Sequence, residues 1–127
     1  MRNVLNPADT KGFIVFAQTV PSGQSVQLFE VLIDEVSGED WLRFRFLAPD
    51  LGVENAAPSF EAAQADFQFL CGTVALPYMA EYDLKAEVVV ISLLDRPVPF
   101  GETDQEATQL IEAFRVDTGT CQLEGFL

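Results

Sequence analysis

The chain has 127 residues, of which 49% are hydrophobic, and its seven basic and twenty acidic residues give a net charge of −13. This length suits one domain with its own core, and the negative charge argues against binding to nucleic acid or to anionic membrane surfaces. The sequence contains no histidine, which excludes Ser-His-Asp, Cys-His and other imidazole-based mechanisms. No apolar run approaches the roughly 20 residues that span a bilayer, so we expect no membrane insertion.

The chain contains two cysteines, Cys71 and Cys121. Without histidine and at this separation they form neither a zinc site nor a CxxC redox motif. A structural disulfide and two buried thiols remain, and we expect the disulfide. A disulfide would place the protein in the periplasm or outside the cell, with the cytoplasm as the alternative.

The N-terminal 20 residues differ in character from the rest. Gly12 to Ala17 are apolar, but Asn6, Pro7 and Asp9 stand where a signal-peptide apolar region should begin. Residues 1–20 are therefore interpreted as a leader or a poor signal-like segment, with a first edge strand as the alternative. Residues 21–127 are expected to form a single α+β domain.

Two strand-like runs, 26–35 and 40–47, flank the four-residue connection Val36-Ser37-Gly38-Glu39, which holds a turn dipeptide, and predict a β-hairpin. The hydrophobic pattern fixes its register, because a slip of one residue would mix the apolar and polar faces. The expected cross-strand pairs are Ile33 with Leu42, Val31 with Phe44, Phe29 with Phe46, Leu32 with Arg43, and Glu30 with Arg45.

A helix is predicted to begin near Pro58 and Ser59 and to end before Pro77. Its apolar stripe would contain Phe60, Ala63, Phe67, Leu70, Cys71 and Val74, which recur at helical spacing. Glu61, Gln64, Asp66 and Gln68 lie off this stripe. Cys71 is therefore expected to point to the core.

A run rich in β-branched residues, 85–94, predicts a central strand covered on both faces. An irregular loop with Pro97 and Pro99 should follow it, since proline is excluded from the middle of a sheet.

The C-terminal region predicts a second hairpin, with strands at 110–116 and 120–126 joined by the three-residue loop Asp117-Thr118-Gly119. In this register Arg115 faces Cys121 and Ala113 faces Leu123. The alternative is a helix from Asp104, capped by Thr103 and Glu106.

The predicted fold class is α+β. A single, mostly antiparallel β-sheet would contain the N-terminal hairpin, the central strand and the C-terminal hairpin, with one main helix packed on a face. A Cys71–Cys121 disulfide would join that helix to the terminal hairpin. Closing such a loop would add about 4 kcal/mol in the chain-entropy model.

Two patterns resemble chemical sites. Asp117-Thr118-Gly119-Thr120 matches the aspartic-protease signature, but seven residues follow it, too few for the partner loop and flap, so a turn is the better interpretation. The acidic groups lack calcium-loop spacing and are interpreted as solvated charge. These groups are Asp34, Glu35, Glu39 and Asp40, and Glu102, Asp104 and Glu106. We therefore assign no catalytic residue, metal ligand or cofactor.

An interaction surface is the remaining candidate site. Trp41, Arg43 and Arg45 alternate along one face of the second strand, where indole and guanidinium groups could bind an anion. Asp95 and Arg96 follow the central strand, where open sheets often place binding residues. Ordinary ion pairing and loop pinning are the competing interpretations of these five residues.

Four segments carry a family resemblance: VPSGQSVQLFEVLIDE, WLRFRFLAP, ISLLDRPVPFGETDQEATQ and FRVDTGTCQLEGF. Together they resemble a family of small uncharacterised proteins of marine alphaproteobacteria, classed as a domain of unknown function, over residues 20–127. The resemblance implies an exported protein but no activity, cofactor or catalytic residue. The polar leader of this chain departs from that pattern.

The expected function is that of a non-enzymatic envelope accessory or binding protein, which acts on an unknown protein partner through its sheet face or an edge strand. The alternatives are a hydrolase-like enzyme that uses carboxylates with a divalent metal, and a cytoplasmic protein-interaction domain.

Overall fold

A computed structural model describes residues 2–5 and 18–124. Its strands are β1 (Arg2–Leu5), β2 (Gln18–Thr19), β3 (Ser25–Val36), β4 (Glu39–Leu47), β5 (Val88–Leu94), β6 (Gln109–Asp117) and β7 (Thr120–Leu123). Its helices are a 3₁₀ turn (Pro49–Gly52), α1 (Phe60–Leu70), a π-helical segment (Cys71–Ala75) and α2 (Leu76–Glu81).

The described strands form a sheet in the order β1-β3-β4-β5-β6-β7, and β2 pairs separately with the start of β3. All neighbours are antiparallel except β4 and β5. These two are parallel because the connection between them crosses the sheet through the helices. The predicted α+β class and the mostly antiparallel sheet are thus confirmed, with this parallel pair as a difference in detail.

The first hairpin has the predicted register from its turn up to Glu30, which pairs with Arg45. A β-bulge then shifts the register, so Leu28 pairs with Phe46 and the predicted Phe29–Phe46 pair is wrong. Leu28 and Phe29 are both large and apolar, so alternation does not choose between them. The bulge sends Leu28 to the main core and Phe29 to a separate cluster.

The helix begins as predicted, with the Ser59 hydroxyl accepting from the Ala62 N–H. The prediction that it ends before Pro77 is wrong, because the chain stays helical to Glu81. Proline lacks the N–H that an α-helix would use here. The π-helical segment just before it absorbs this defect, and the Leu76 N–H bonds to the carbonyl of Cys71.

The core lies between the helices and one face of the sheet. β5 is buried along its whole length, as expected of a central strand. Most of the predicted helical stripe is in this core, but Phe60 is 73% exposed and was wrongly assigned to it. Asp66, expected off the stripe, is fully buried instead, where its carboxylate accepts bonds from Ser22 and Gln24.

The predicted C-terminal hairpin is present. Its first strand is β6, and the alternative of a helix in this region is wrong. Its loop has two residues, not three, with Thr118 and Gly119 both at positive φ. The predicted register is therefore wrong by one residue: Cys121 pairs with Val116, and Leu123 with Phe114. In the observed register Cys121 lies beside Val116, and both pack against the core under the helices.

The disulfide is present between Cys71, in the π-helical segment, and Cys121, in β7. Cys71 is fully buried in the main core and Cys121 packs against that core. The bond joins helix to terminal hairpin, as predicted.

The N-terminal segment contributes two strands to the described structure. β1 pairs with β3, placing Arg2 opposite Ile33 and Leu5 opposite Val31. β2 pairs Gln18 with Val26. The apolar stretch from Gly12 to Ala17, which suggested a signal-like segment, lies outside the described residues.

Candidate functional site: the arginine–aromatic face

Alternation along β4 separates two sets of side chains. Leu42, Phe44 and Phe46 belong to the main core under the helices. Trp41, Arg43 and Arg45 therefore share the opposite face of the sheet. The three residues predicted to form one surface are thus adjacent.

On this face, five side chains form an alternating stack, which we call the arginine–aromatic ladder. The Arg45 guanidinium carbon lies 5.2 Å from the Phe29 ring centroid and 5.6 Å from that of Phe100. The Arg43 guanidinium carbon lies 5.3 Å from the Phe100 centroid and 5.5 Å from that of Trp41. Phe100 thus joins the two cations, and each cation meets two aromatic rings at cation–π distance.

Arg45 is the buried anchor of the ladder, at 2% exposure. Its Nη1 donates to Glu30 Oε1 at 2.5 Å, and its Nη2 donates to the Val98 carbonyl at 2.5 Å. The β3 bulge places both Glu30 and Phe29 beside this guanidinium. A buried cation is thus paired with a carboxylate, a backbone carbonyl and aromatic rings.

Arg43 is the more accessible cation. Its ion pair with Asp34 is loose, with 3.6 Å between Nη2 and Oδ2, and both side chains remain partly exposed. The Nε atoms of Arg43 and Arg45 are buried and have no hydrogen-bond acceptor within the described part of the chain. Ring contacts therefore hold both guanidinium groups, and the bonds to Glu30 and to the Val98 carbonyl fix that of Arg45 in addition.

The segment 95–108 carries Phe100 and Val98 over this face, and its two ends are bonded together. The Asp95 N–H donates to the Thr108 carbonyl, and the Thr108 N–H donates back to Asp95 Oδ1. Arg96 adds a bond to Asp95 Oδ2 at 3.2 Å. Burial opposes ionisation of Asp95, but the Thr108 N–H and Arg96 outweigh it and hold the pKa of Asp95 below its ordinary value.

Asp95 and Arg96, predicted as part of the interaction surface, therefore contact each other and the base of this segment. Gly52 also packs closely here: a Cβ at that position would lie 2.6 Å from Asp95 Oδ2. Any larger residue at position 52 would displace the carboxylate that closes the segment.

A shallow pocket of about 280 Å³ opens beside the ladder. It is lined by Phe29, Glu30, Arg45, Pro97, Val98 and Pro99. This volume is below the range of typical small-molecule sites, and the lining is mostly apolar. The pocket fits a single side chain of a partner better than a cofactor.

Two large apolar side chains remain exposed on the same side of the sheet: Phe100 at 41% and Ile111 at 44%. Ile111 pairs with Ser92 in β5, which lies next to Arg45 in β4. Apolar surface near a guanidinium group is typical of protein–protein contact regions.

A second ionic cluster connects the two hairpins. Arg115 Nη1 donates to Glu39 Oε2 at 2.7 Å, and Arg115 Nε donates to Glu124 Oε2 at 2.7 Å. The Arg115 guanidinium lowers the pKa of Glu39, and the two carboxylates raise the pKa of Arg115. These contacts join strand ends, and Glu39 also interacts with the side chain of Trp41 at one end of the ladder.

The acidic groups and the protease-like motif take structural positions. Among the described residues no group of three potential ligands could hold a metal ion. Asp117 closes the C-terminal hairpin, and its carbonyl accepts from the Thr120 hydroxyl. No helix within residues 2–5 and 18–124 has the length and apolarity to cross a bilayer.

The sequence predicted the three β4 residues of this face but did not predict Phe29, Val98 and Phe100, which contact Arg45. Phe29 was placed on the wrong face because of the bulge. Val98 and Phe100 come from a loop more than fifty positions along the chain, and no local pattern connects them to Arg45.

Comparison with known proteins gives one match. The model of DUF6497, a family of unknown function, matches residues 4–126. No curated protein and no solved structure matches the chain. The matched residues take in both hairpins, the helices, the ladder and the two cysteines, so the chain belongs to the DUF6497 family of unknown function.

Proposed function

We propose that this protein is a non-enzymatic binding protein of the cell envelope, and that a protein partner docks on the face that carries the arginine–aromatic ladder. The observation that carries the proposal is the position of Phe100. Its ring is held between two guanidinium groups, yet 41% of the residue is exposed. An aromatic side chain held rigidly at the surface loses little conformational entropy when a partner covers it.

The surroundings of Phe100 support a protein partner. Ile111 adds apolar surface on the same side, and Arg43 adds a partly accessible cation in an otherwise acidic protein. The adjacent pocket, of about 280 Å³, is large enough to admit a side chain of a partner. Aromatic and arginine anchors beside a small pocket are the usual composition of a binding hot spot.

The proposed compartment is supported by the disulfide. Disulfides persist in oxidising compartments such as the periplasm and are rare in the cytosol. Because Cys71 and Cys121 are joined, an envelope or exported location agrees with the chemistry of the folded protein.

The docking surface is tested by affinity capture from cells of the native source, with three versions of the protein as bait. Ile111→Asp places a charge on the proposed surface without touching the ladder. Phe60→Asp is the matched control, because Phe60 is exposed and lies on the helix side of the sheet. We expect a protein that is retained by the wild type and by Phe60→Asp but lost with Ile111→Asp. Equal capture by all three baits, or loss with Phe60→Asp alone, would overturn the proposed surface.

The compartment is tested separately by alkylating thiols in intact cells before lysis, without reductant. We expect neither cysteine to be alkylated, and the protein to fractionate with the envelope. Two alkylated thiols in freshly isolated native protein would contradict the envelope location while leaving the docking surface open to its own test.

A further inference from the structure

Strand β7 is attached to the rest of the protein by few contacts. It is four residues long and forms the edge of the described sheet. Thr120, Gln122 and Leu123 are exposed, and Cys121 is only partly buried. The strand therefore contributes little apolar burial to hold itself in place.

Besides its pairing with β6, the strand and the adjoining Glu124 have four further links within the described part of the chain, one of which is the hydrogen bond from the Glu124 N–H to the Ala113 carbonyl at 2.9 Å. The disulfide joins Cys121 to Cys71, and the Gln68 side chain donates to the Cys121 carbonyl at 2.9 Å. The Arg115–Glu124 ion pair lies just beyond the strand and is partly exposed. Exposed ion pairs and single surface hydrogen bonds are weak, which leaves the disulfide as the dominant link.

The neighbouring elements do not depend on β7 in the same way. In β6, Ala113 and Phe114 are buried, and this strand pairs with β5 along its length. Cys71 lies in the main core among side chains of the helices. Loss of β7 would uncover the part of the core that Cys121 contacts, while the helices and strands β3 to β6 would still cover the rest.

We infer that the Cys71–Cys121 disulfide is a redox-controlled clasp: its reduction releases β7 from the sheet while the remainder of the domain stays folded. Release would uncover the outer backbone N–H and C=O groups of β6, which an open sheet edge offers to another strand. This inference concerns the edge of the sheet beyond β6, and it does not rest on the proposed docking surface.

The reaction requires a dithiol reductant. A thiolate of the reductant attacks Cys121 Sγ, the more exposed sulfur, and the bond to Cys71 breaks. Cys71 leaves as a thiolate and takes up a proton. The second thiol of the reductant, after losing its own proton, resolves the mixed disulfide and frees Cys121 as a thiol. Two electrons and two protons pass to the protein, and the reductant is oxidised to a disulfide.

Nuclear magnetic resonance of the full chain tests the clasp, with spectra recorded oxidised, reduced with excess dithiothreitol, and reoxidised. After reduction we expect the amide signals of residues 118–124 to move to random-coil positions. The signals of β3, β4 and β5 and the Trp41 indole signal should keep their dispersed shifts, and reoxidation should restore the first spectrum.

A variant checks the result without a reductant. Cys121→Ser removes the bond and leaves Cys71 as a native buried side chain, so it should reproduce the reduced spectrum. Gln68→Ala, which keeps the bond, should retain the oxidised spectrum of β7. Unchanged β7 signals after reduction, or collapse of all signals together, would overturn the inference.

Discussion

The backbone carbonyl of Val98 accepts a hydrogen bond of 2.5 Å from the guanidinium of Arg45, fifty-three positions away in sequence. This bond fixes the segment 95–108 to the sheet at Val98, while Asp95 and Thr108 join its two ends to each other. The surface that carries Phe100 is therefore held at three points before any partner arrives.

Replacing Arg45 should destabilise the domain strongly. Arg45→Met removes the donor to Val98 and the cation beside the Glu30 carboxylate, and breaking a buried ion pair costs about 3 kcal/mol. Urea denaturation measures the loss. Arg43→Met is the control, because its ion pair is loose and partly exposed, and should cost about 1 kcal/mol. Equal losses for the two variants would contradict the buried-anchor role of Arg45.

Removing the Phe100 ring should weaken the ladder without unfolding the protein. Phe100→Ala deletes two cation–π contacts, which together contribute about 1–2 kcal/mol. Denaturant unfolding gives the stability change, and hydrogen exchange should show faster exchange within residues 95–108. Phe60→Ala, at a more exposed aromatic residue, should change stability by less than about 0.5 kcal/mol. A Phe100→Ala protein as stable as the wild type would argue against the ladder.

The buried carboxylate of Asp66 should be required for stability. It accepts bonds from the Ser22 N–H, the Ser22 hydroxyl and the Gln24 side chain, at 2.8, 2.6 and 2.9 Å. Asp66→Ala leaves the buried Gln24 donor and the partly buried Ser22 donors without their acceptor and should cost about 2–3 kcal/mol. Thermal and urea unfolding check this. Glu61→Ala removes an exposed charge from the same helix and should cost about 0.5 kcal/mol. Similar effects of the two substitutions would show that Asp66 acts only through its charge.

The Glu39–Arg115 contact predicts a pH dependence. The Arg115 guanidinium lowers the pKa of Glu39 below the ordinary value of 4.5. A carboxylate with a lowered folded-state pKa stabilises the protein above its unfolded-state pKa, and the effect is lost as pH falls through the folded value. The wild type should therefore melt above Glu39→Gln at pH 6, and the difference should shrink below about pH 4.5.

The control for this comparison is Glu54→Gln, which changes the net charge equally at an exposed loop residue. Its melting temperature should follow that of the wild type at every pH. Added salt should narrow the Glu39→Gln difference, since surface ion pairs are screened. A difference that persists unchanged to pH 3 would contradict the assignment to this carboxylate.

The sequence predicted the structure correctly wherever a local pattern is compatible with only one arrangement of the chain. The hairpin register from Ile33 to Arg45 follows from alternation around a Ser-Gly turn, and any slip would bury charge. The β-branched run of β5 likewise has one solution, a strand buried on both faces.

Predictions failed where the local sequence is compatible with two arrangements of the chain. Leu28 and Phe29 compete for one buried position, and a bulge decides between them. In the last hairpin, counting Asp117 as a loop residue moves every pair by one, so Cys121 was paired with Arg115 in place of Val116. Pro77 usually ends a helix, but the π-helical segment before it lets the helix continue.

The site depended on contacts that no local pattern encodes. Trp41, Arg43 and Arg45 could be grouped because they alternate on one strand. Phe100 joins them only because the segment 95–108 folds back over the sheet, and its position is set by tertiary packing.

Site-specific photo-cross-linking in living cells of the native source tests the docking face most directly. A photoreactive amino acid would replace Ile111 in one strain and Phe60, on the helix side, in another. If a partner docks on the face that carries the ladder, a discrete protein adduct forms at position 111 and none forms at position 60. An adduct from position 60 alone, or none from position 111, would contradict docking on this face.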